Sequence, residues 1–326
     1  MKTRTNTVKL IWVVAVLTAS AAGAYSPWTY EFEWGREGSG QGEFREPWGI
    51  AKTTGTGDVY VADTGNHRVQ CFTRRGLWLR QWGEFGGGTG QFRNPKGIAV
   101  SSGGRIFVAD TGNHRVQYFS ASGSFLGSWG SEGGGNGQFR SPAGLTFSPA
   151  GDVYVADTGN DRVQYFTSTG SFLGKWGAPG SGLKQFDGPE GITIGNDGRV
   201  FVVDTGNNRI QCYTVTGDFL GMWGSYGSGD DQFNTPGGAF VPEYARVFIA
   251  DTGNDRVQVF QRNGAFYCSM GSGGSGPAQF RAPRGVAGSQ DWYIYVLDTG
   301  NNRVQYFENR LGITPASLGR IKALFD

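Results

Sequence analysis

Short apolar runs separated by Gly-rich turns succeed one another along most of this chain. One unit shows the pattern. A Pro-x-Gly start (Pro95, Lys96, Gly97) leads into Ile98-Ala99-Val100, and Gly103-Gly104 turns the chain into Ile106-Phe107-Val108-Ala109. Asp110-Thr111-Gly112-Asn113 turns it again into Arg115-Val116-Gln117-Tyr118-Phe119, and Ser122-Gly123 leads to Phe125-Leu126-Gly127-Ser128-Trp129. Four runs of this length, bounded by residues that tolerate positive φ, predict a four-stranded antiparallel sheet. The runs are apolar on both pleat faces, so each sheet must be covered on both sides. A Gly-rich stretch over 130–137 then crosses to Gln138-Phe139, and its low complexity predicts a flexible surface connection.

The unit recurs. Asp-Thr-Gly-Asn-x-Arg-(Val/Ile)-Gln appears six times at a 47-residue spacing, with Asp at Asp63, Asp110, Asp157, Asp204, Asp251 and Asp298 and Arg at Arg68, Arg115, Arg162, Arg209, Arg256 and Arg303. A single small sheet cannot bury both of its faces, whereas six can do so by stacking into a closed ring. The predicted fold is therefore all-β: a six-bladed β-propeller of four-stranded antiparallel blades. The ends show a seam. The sixth unit stops after Val304-Gln305-Tyr306-Phe307 without its fourth run, and an orphan run, Glu31-Phe32-Glu33-Trp34-Gly35, precedes the first unit. This N-terminal strand is expected to complete the last blade, which removes the open edges of a stack.

The Pro-x-Gly-Ile, Val-Tyr-Val-Ala-Asp-Thr-Gly-Asn-x-Arg-Val-Gln-x-Phe and Gly-x-Phe-Leu series resemble the NHL repeat, over about residues 28 to 307. The resemblance implies the propeller fold, which serves unrelated tasks. Some similar propellers are peptide-amidating lyases whose metal is held by several His with a Tyr and an Arg nearby. Only His67 and His114 are present here, so that ligand set does not transfer. Others bind RNA, but no strongly basic footprint supports that role.

The ends depart from the repeat. Lys2, Arg4 and Lys9 precede the apolar stretch Leu10 to Leu17 and the small residues Ala22-Gly23-Ala24, the pattern of a secretory signal over residues 1–24. The apolar part falls short of the roughly 20 residues of a membrane span, so the mature protein is expected to have none and to be secreted, extracellular or periplasmic. Without the three leader cations, 26 Lys and Arg face 27 Asp and Glu. The propeller is expected over 25–311, followed by a tail at 312–326 in which Leu318, Ile321, Leu324 and Phe325 recur at helical spacing. Cys71 and Cys212 occupy one repeat position three blades apart, too far for a disulfide, and Cys268 lies in a different strand, so buried free thiols are expected.

A catalytic or metal site is a single constellation, whereas the Asp-Arg pair recurs in every blade. It is therefore expected to be structural, with Asp capping its own turn and Arg pairing with a carboxylate or with blade-interface carbonyls. The recurring Phe44, Phe92, Phe139, Phe186, Phe233 and Phe280, and Trp34, Trp82, Trp129, Trp176 and Trp223, are expected in the core. Specific function belongs where the copies differ. The middle residue of Pro-x-Gly, at the mouth of the central channel, runs Trp48, Lys96, Ala143, Glu190, Gly237, Arg284; the residue before the repeat Arg runs His67, His114, Asp161, Asn208, Asp255, Asn302. Blades six, one and two are cationic and aromatic, and blades three to five acidic. Trp48, Lys96, Glu190, Arg284, His67 and His114 are thus the expected ligand or partner site, with Trp48 as an aromatic platform.

No nucleophile elbow, phosphate loop or His-Glu-x-x-His appears, and two His are too few for a structural zinc. No cofactor is predicted, although the sequence leaves room for a calcium held by carbonyls in the channel. The expected function is a secreted, monomeric, non-enzymatic scaffold that binds a protein, peptide or glycan, and not nucleic acid. The alternative is a calcium-dependent hydrolase or lyase with its site in the channel.

Overall fold

The computed structural model describes residues 26–242, 246–289 and 293–309, and within them the six units fold as six four-stranded antiparallel sheets around a common axis. Blade two shows the order from the axis outward: Ile98–Val100, Ile106–Asp110, Arg115–Phe119 and Phe125–Trp129. Its second strand is buried along its whole length, as the two-sided apolar pattern requires, while the fourth is largely exposed at the rim. The leader expected over 1–24 and the tail over 312–326 lie outside the described residues. Among the described residues no helix is long and apolar enough to cross a membrane.

The seam lies at blade six. Gly285–Ser289, Tyr293–Asp298 and Arg303–Asn309 supply three strands, and Trp28–Trp34 adds the fourth by pairing antiparallel with Arg303–Asn309. Glu33 on the added strand also accepts from Arg303 at 2.9 Å, so a side-chain ion pair reinforces the ladder.

Hydrophobic clusters lie between blades rather than within them. One joins Phe107 and Val116 of blade two to Leu145, Val153 and Phe166 of blade three. Each fully buried side chain of this size contributes roughly 1.5–3 kcal/mol. The Trp that ends each outer strand from blade one to blade four presses on the glycine of the next blade's outer hairpin. At Gly170 a Cβ would stand 2.7 Å from the Trp129 ring, and φ is +92°. That turn must therefore be glycine, both for its backbone and to seat the indole.

The crossings between blades are more ordered than low complexity suggests. In the crossing before blade two, Phe92 N–H donates to Glu84 O at 2.8 Å and Gly86 N–H to Phe92 O at 3.0 Å. Gln91 Oε1 accepts from Gly88 N–H at 2.9 Å. These bonds close each crossing into a compact loop against its blade, because buried Phe92 anchors one end.

Candidate binding face at the channel mouth

The crossings and the Asp-Thr-Gly-Asn turns share one face of the ring, and three recurring polar devices build it. The first is a buried carboxylate within each blade. Asp63 accepts from Arg68 Nε at 2.7 Å, Asn66 Nδ2 at 2.9 Å, Gln70 Nε2 at 3.1 Å and the backbone N–H of Arg45 at 2.8 Å. Arg68 also donates to the carbonyls of Ser39, Gly40 and Glu43, fastening the incoming crossing to the blade. Blades two to six repeat the Asp–Arg pair at Asp110–Arg115, Asp157–Arg162, Asp204–Arg209, Asp251–Arg256 and Asp298–Arg303, with N···O distances of 2.6–2.8 Å. The expected capping of the Asp's own turn is not what forms: Asp63 makes no side-chain bond to that turn's backbone. A guanidinium and side-chain amides, aimed at it from the next strand and the turn, occupy its oxygens instead. Burial pushes the Asp63 carboxyl up, against the pull of Arg45, Asn66 and Arg68.

The second device crosses from blade to blade through the turn Thr, whose side chain the repeat pattern suggests for the nearby backbone of its own turn and which all six copies carry. Thr64, Thr111, Thr158, Thr205 and Thr252 donate through Oγ1 to Pro95, Pro142, Pro189, Pro236 and Pro283 carbonyls of the following blade at 2.7–2.9 Å. Thr299 to Pro47 closes the circle.

The third device uses the variable residue before each repeat Arg, which stands at φ between 51° and 56° in every blade. Asn, Asp and His are the non-glycine residues that most readily take this left-handed region. Each then accepts a backbone N–H from the residue preceding the next blade's Pro. His67 Nδ1 takes Asn94 N–H at 3.1 Å, His114 Nδ1 takes Ser141 N–H at 3.0 Å, and Asp161 Oδ1 takes Gly188 N–H at 2.7 Å. Asn208, Asp255 and Asn302 do the same for Thr235, Ala282 and Glu46. His67 and His114, expected at the ligand site, are therefore fasteners between blades. Burial holds His67 below the usual histidine pKa. Among the described residues no group of three or more His, Cys, Asp or Glu could hold a metal ion.

At the axis, each Pro-x-Gly glycine lets the inner strands converge. A Cβ on Gly97 would collide with the Ala143 carbonyl, and one on Gly144 with the Glu190 carbonyl. The same glycines donate across the gap, Gly97 N–H to Ala143 O at 3.1 Å and Gly144 N–H to Glu190 O at 2.7 Å. The collar glycines and Ile50, Ile98, Leu145, Ile192, Ala239 and Val286 enclose a small axial cavity of about 50 Å³. Beyond it the channel widens at the opposite face into a cavity of about 380 Å³.

Above the collar lie the middle residues of Pro-x-Gly. The division into a cationic half and an acidic half does not persist, because Glu190 reaches both cations: Lys96 Nζ at 2.9 Å and Arg284 Nη1 at 3.1 Å. Nor is Trp48 an open platform. It is 6% exposed, and Lys96 Nζ stands 5.7 Å from its ring centroid. Opposite charges so close converge rather than remain on separate sides. The sequence held a sign of this: Lys96, Glu190 and Arg284 are two repeats apart, on alternate blades.

Cys71, Cys212 and Cys268 are free and buried, and burial pushes each thiol up to about 11. They are inert packing groups at neutral pH.

The fold and its networks define a six-bladed β-propeller whose blades share the same polar fastenings. The NHL repeat family model matches residues 44–72, 92–119, 139–166 and 186–213, in the first four blades, and the chain is an NHL-repeat protein. A B-box type zinc finger protein, ncl-1, of Caenorhabditis elegans is 47% identical over 47 residues, which is 14% of this chain. The match spans only 5% of the length of that curated relative. Among solved structures, a streptogramin B lyase superposes with a TM-score of 0.58 at 15% identity, covering 86% of this chain and 97% of that one. A Xanthomonas campestris gluconolactonase gives 0.62 at 14% identity, covering 82% and 87%. At such identities the likeness is one of fold.

Proposed function

We propose that this chain is a secreted, monomeric, non-enzymatic propeller that binds a protein, peptide or glycan partner on the crossing face, at the mouth formed by Lys96, Glu190 and Arg284. One observation carries this. The repeat Asp, Arg, Thr and pre-Arg residues perform the same fastening task in every blade, whereas the Pro-x-Gly middle residues vary from Trp to Gly and perform no task common to the six blades. Three of them nevertheless place a charged cluster, partly open to solvent, on the axis of one face. A concave mouth with convergent charge is a recognition surface.

The enzyme alternative would route chemistry through a calcium held by channel carbonyls. The test is a pull-down from the native secreted fraction with Lys96→Ala/Arg284→Ala as bait beside the unmodified protein. Loss of the partner at unchanged melting temperature is expected; equal capture overturns the assignment of the mouth. Stoichiometric calcium in protein purified without chelator would support the enzyme instead.

A further inference from the structure

Glu190 stands on blade four, three blades from Trp48 on blade one, and so across the axis from it. Its carboxylate is shared: Oε1 accepts from Lys96 Nζ on blade two, and Oε2 from Arg284 Nη1 on blade six. Each oxygen thus takes one cation, a bridging arrangement that suits a planar anion with two oxygens. Two cations for one carboxylate leave the cluster with a net positive charge. The positions flanking Glu190 around the mouth are Ala143 and Gly237, which bring no more than a methyl group. The Lys96, Glu190 and Arg284 side chains are 26%, 16% and 33% exposed, so water and incoming ligands reach all three. These pairs are part-buried and screened less than surface pairs, so only a group that restores both, a second carboxylate with two oxygens, can replace Glu190 without leaving the cations unpaired.

We propose that Glu190 fills, from within the chain, the seat of a partner's carboxylate, and that the mouth captures an acidic side chain of a protein or peptide by exchanging it for Glu190. This rests on the mouth being the binding face. The occupant already present is a glutamate, so the distance between the two cations matches a protein carboxylate. Buried Trp48, beside Lys96, fixes one wall of the seat.

The test uses the whole folded protein and a blocked peptide of alternating Glu and Gly, with its Gln counterpart as control, followed by titration calorimetry at low salt. Glu190→Gln removes the competing charge while keeping the side chain's size, and about tenfold tighter binding of the Glu peptide is expected. Lys96→Ala/Arg284→Ala should abolish binding, and the Gln peptide should bind neither protein. Unchanged thermal melts establish that the variants are folded. Binding of the Glu peptide to Glu190→Gln no tighter than to the unmodified protein overturns the exchange. Should the native partner still be lost in the double variant, the binding face stands while the exchange fails. Tighter binding of oligogalacturonate than of the Glu peptide would overturn the assignment of the carboxylate to a protein.

Discussion

Thr299 Oγ1 on blade six donates to the Pro47 carbonyl on blade one at 2.8 Å, across 252 residues of chain. Five equivalent bonds join consecutive blades, and this one, with Asn302 accepting from Glu46 N–H, joins the last blade to the first. Thr299→Val keeps the shape and leaves the Pro47 carbonyl without that donor. A loss of roughly 1–3 kcal/mol in urea unfolding is expected. A variant as stable as the parent would show that ring closure does not depend on the Thr–Pro belt.

Asp157 is the buried centre of blade three, accepting from Arg162, Asn160, Gln164 and the backbone of Arg140. Asp157→Ala strands the Arg162 guanidinium with its charge uncompensated. About 3–5 kcal/mol of stability should be lost. Asp157→Asn preserves the shape and should lose less; equal stability of the Ala variant and the parent in chemical denaturation would remove the hub role.

Gly144→Ala places a methyl group on the Glu190 carbonyl at the axial collar. Two inner strands must move apart, and a loss of roughly 1–3 kcal/mol is expected. On the outer strand of blade four, a Cβ added at Gly221 would meet nothing within 4 Å, so Gly221→Ala should stay within about 0.5 kcal/mol of the parent. Similar melting temperatures for the two variants would contradict the close approach at the collar.

His67 accepts the Asn94 N–H through Nδ1, so the bond requires that nitrogen to be unprotonated. Burial lowers its pKa in the folded state, so the unfolded chain binds the proton first as pH falls. The contribution is complete above the ordinary histidine value near 6.5 and is lost as pH drops below it toward the lower folded value. His67→Asn, the residue found at 208 and 302, retains the acceptor without titrating. The variant's urea midpoint should fall less than the parent's between pH 8 and pH 5; identical pH dependence would refute the assignment.

Much of the fold was legible because its signals are local and repeated. Strand runs, turn glycines and a fixed 47-residue period each follow from the backbone needs of one unit, and the orphan run Glu31–Gly35 marked the seam. The candidate site was legible only in part. His67 and His114 looked like ligand residues because the position before the repeat Arg differs between copies and they fall in the cationic blades, yet all six residues at that position perform one interblade task. Type alone does not show that a ring nitrogen, a carboxylate and an amide oxygen are equivalent acceptors there. Thr299, which its own unit suggests for a bond within its turn, finds its partner in Pro47 only when the ring brings the first blade beside it.

The sequence by itself determined the blade, the number of blades and the positions at which they differ, since these depend on neighbours close along the chain. The tertiary structure alone decided how those differences combine. Lys96, Glu190 and Arg284 lie 94 residues apart in turn and meet only because ring closure brings alternate blades to one axis. There, Coulomb attraction at about 3 Å joins charges that the linear order assigns to opposite halves of the mouth.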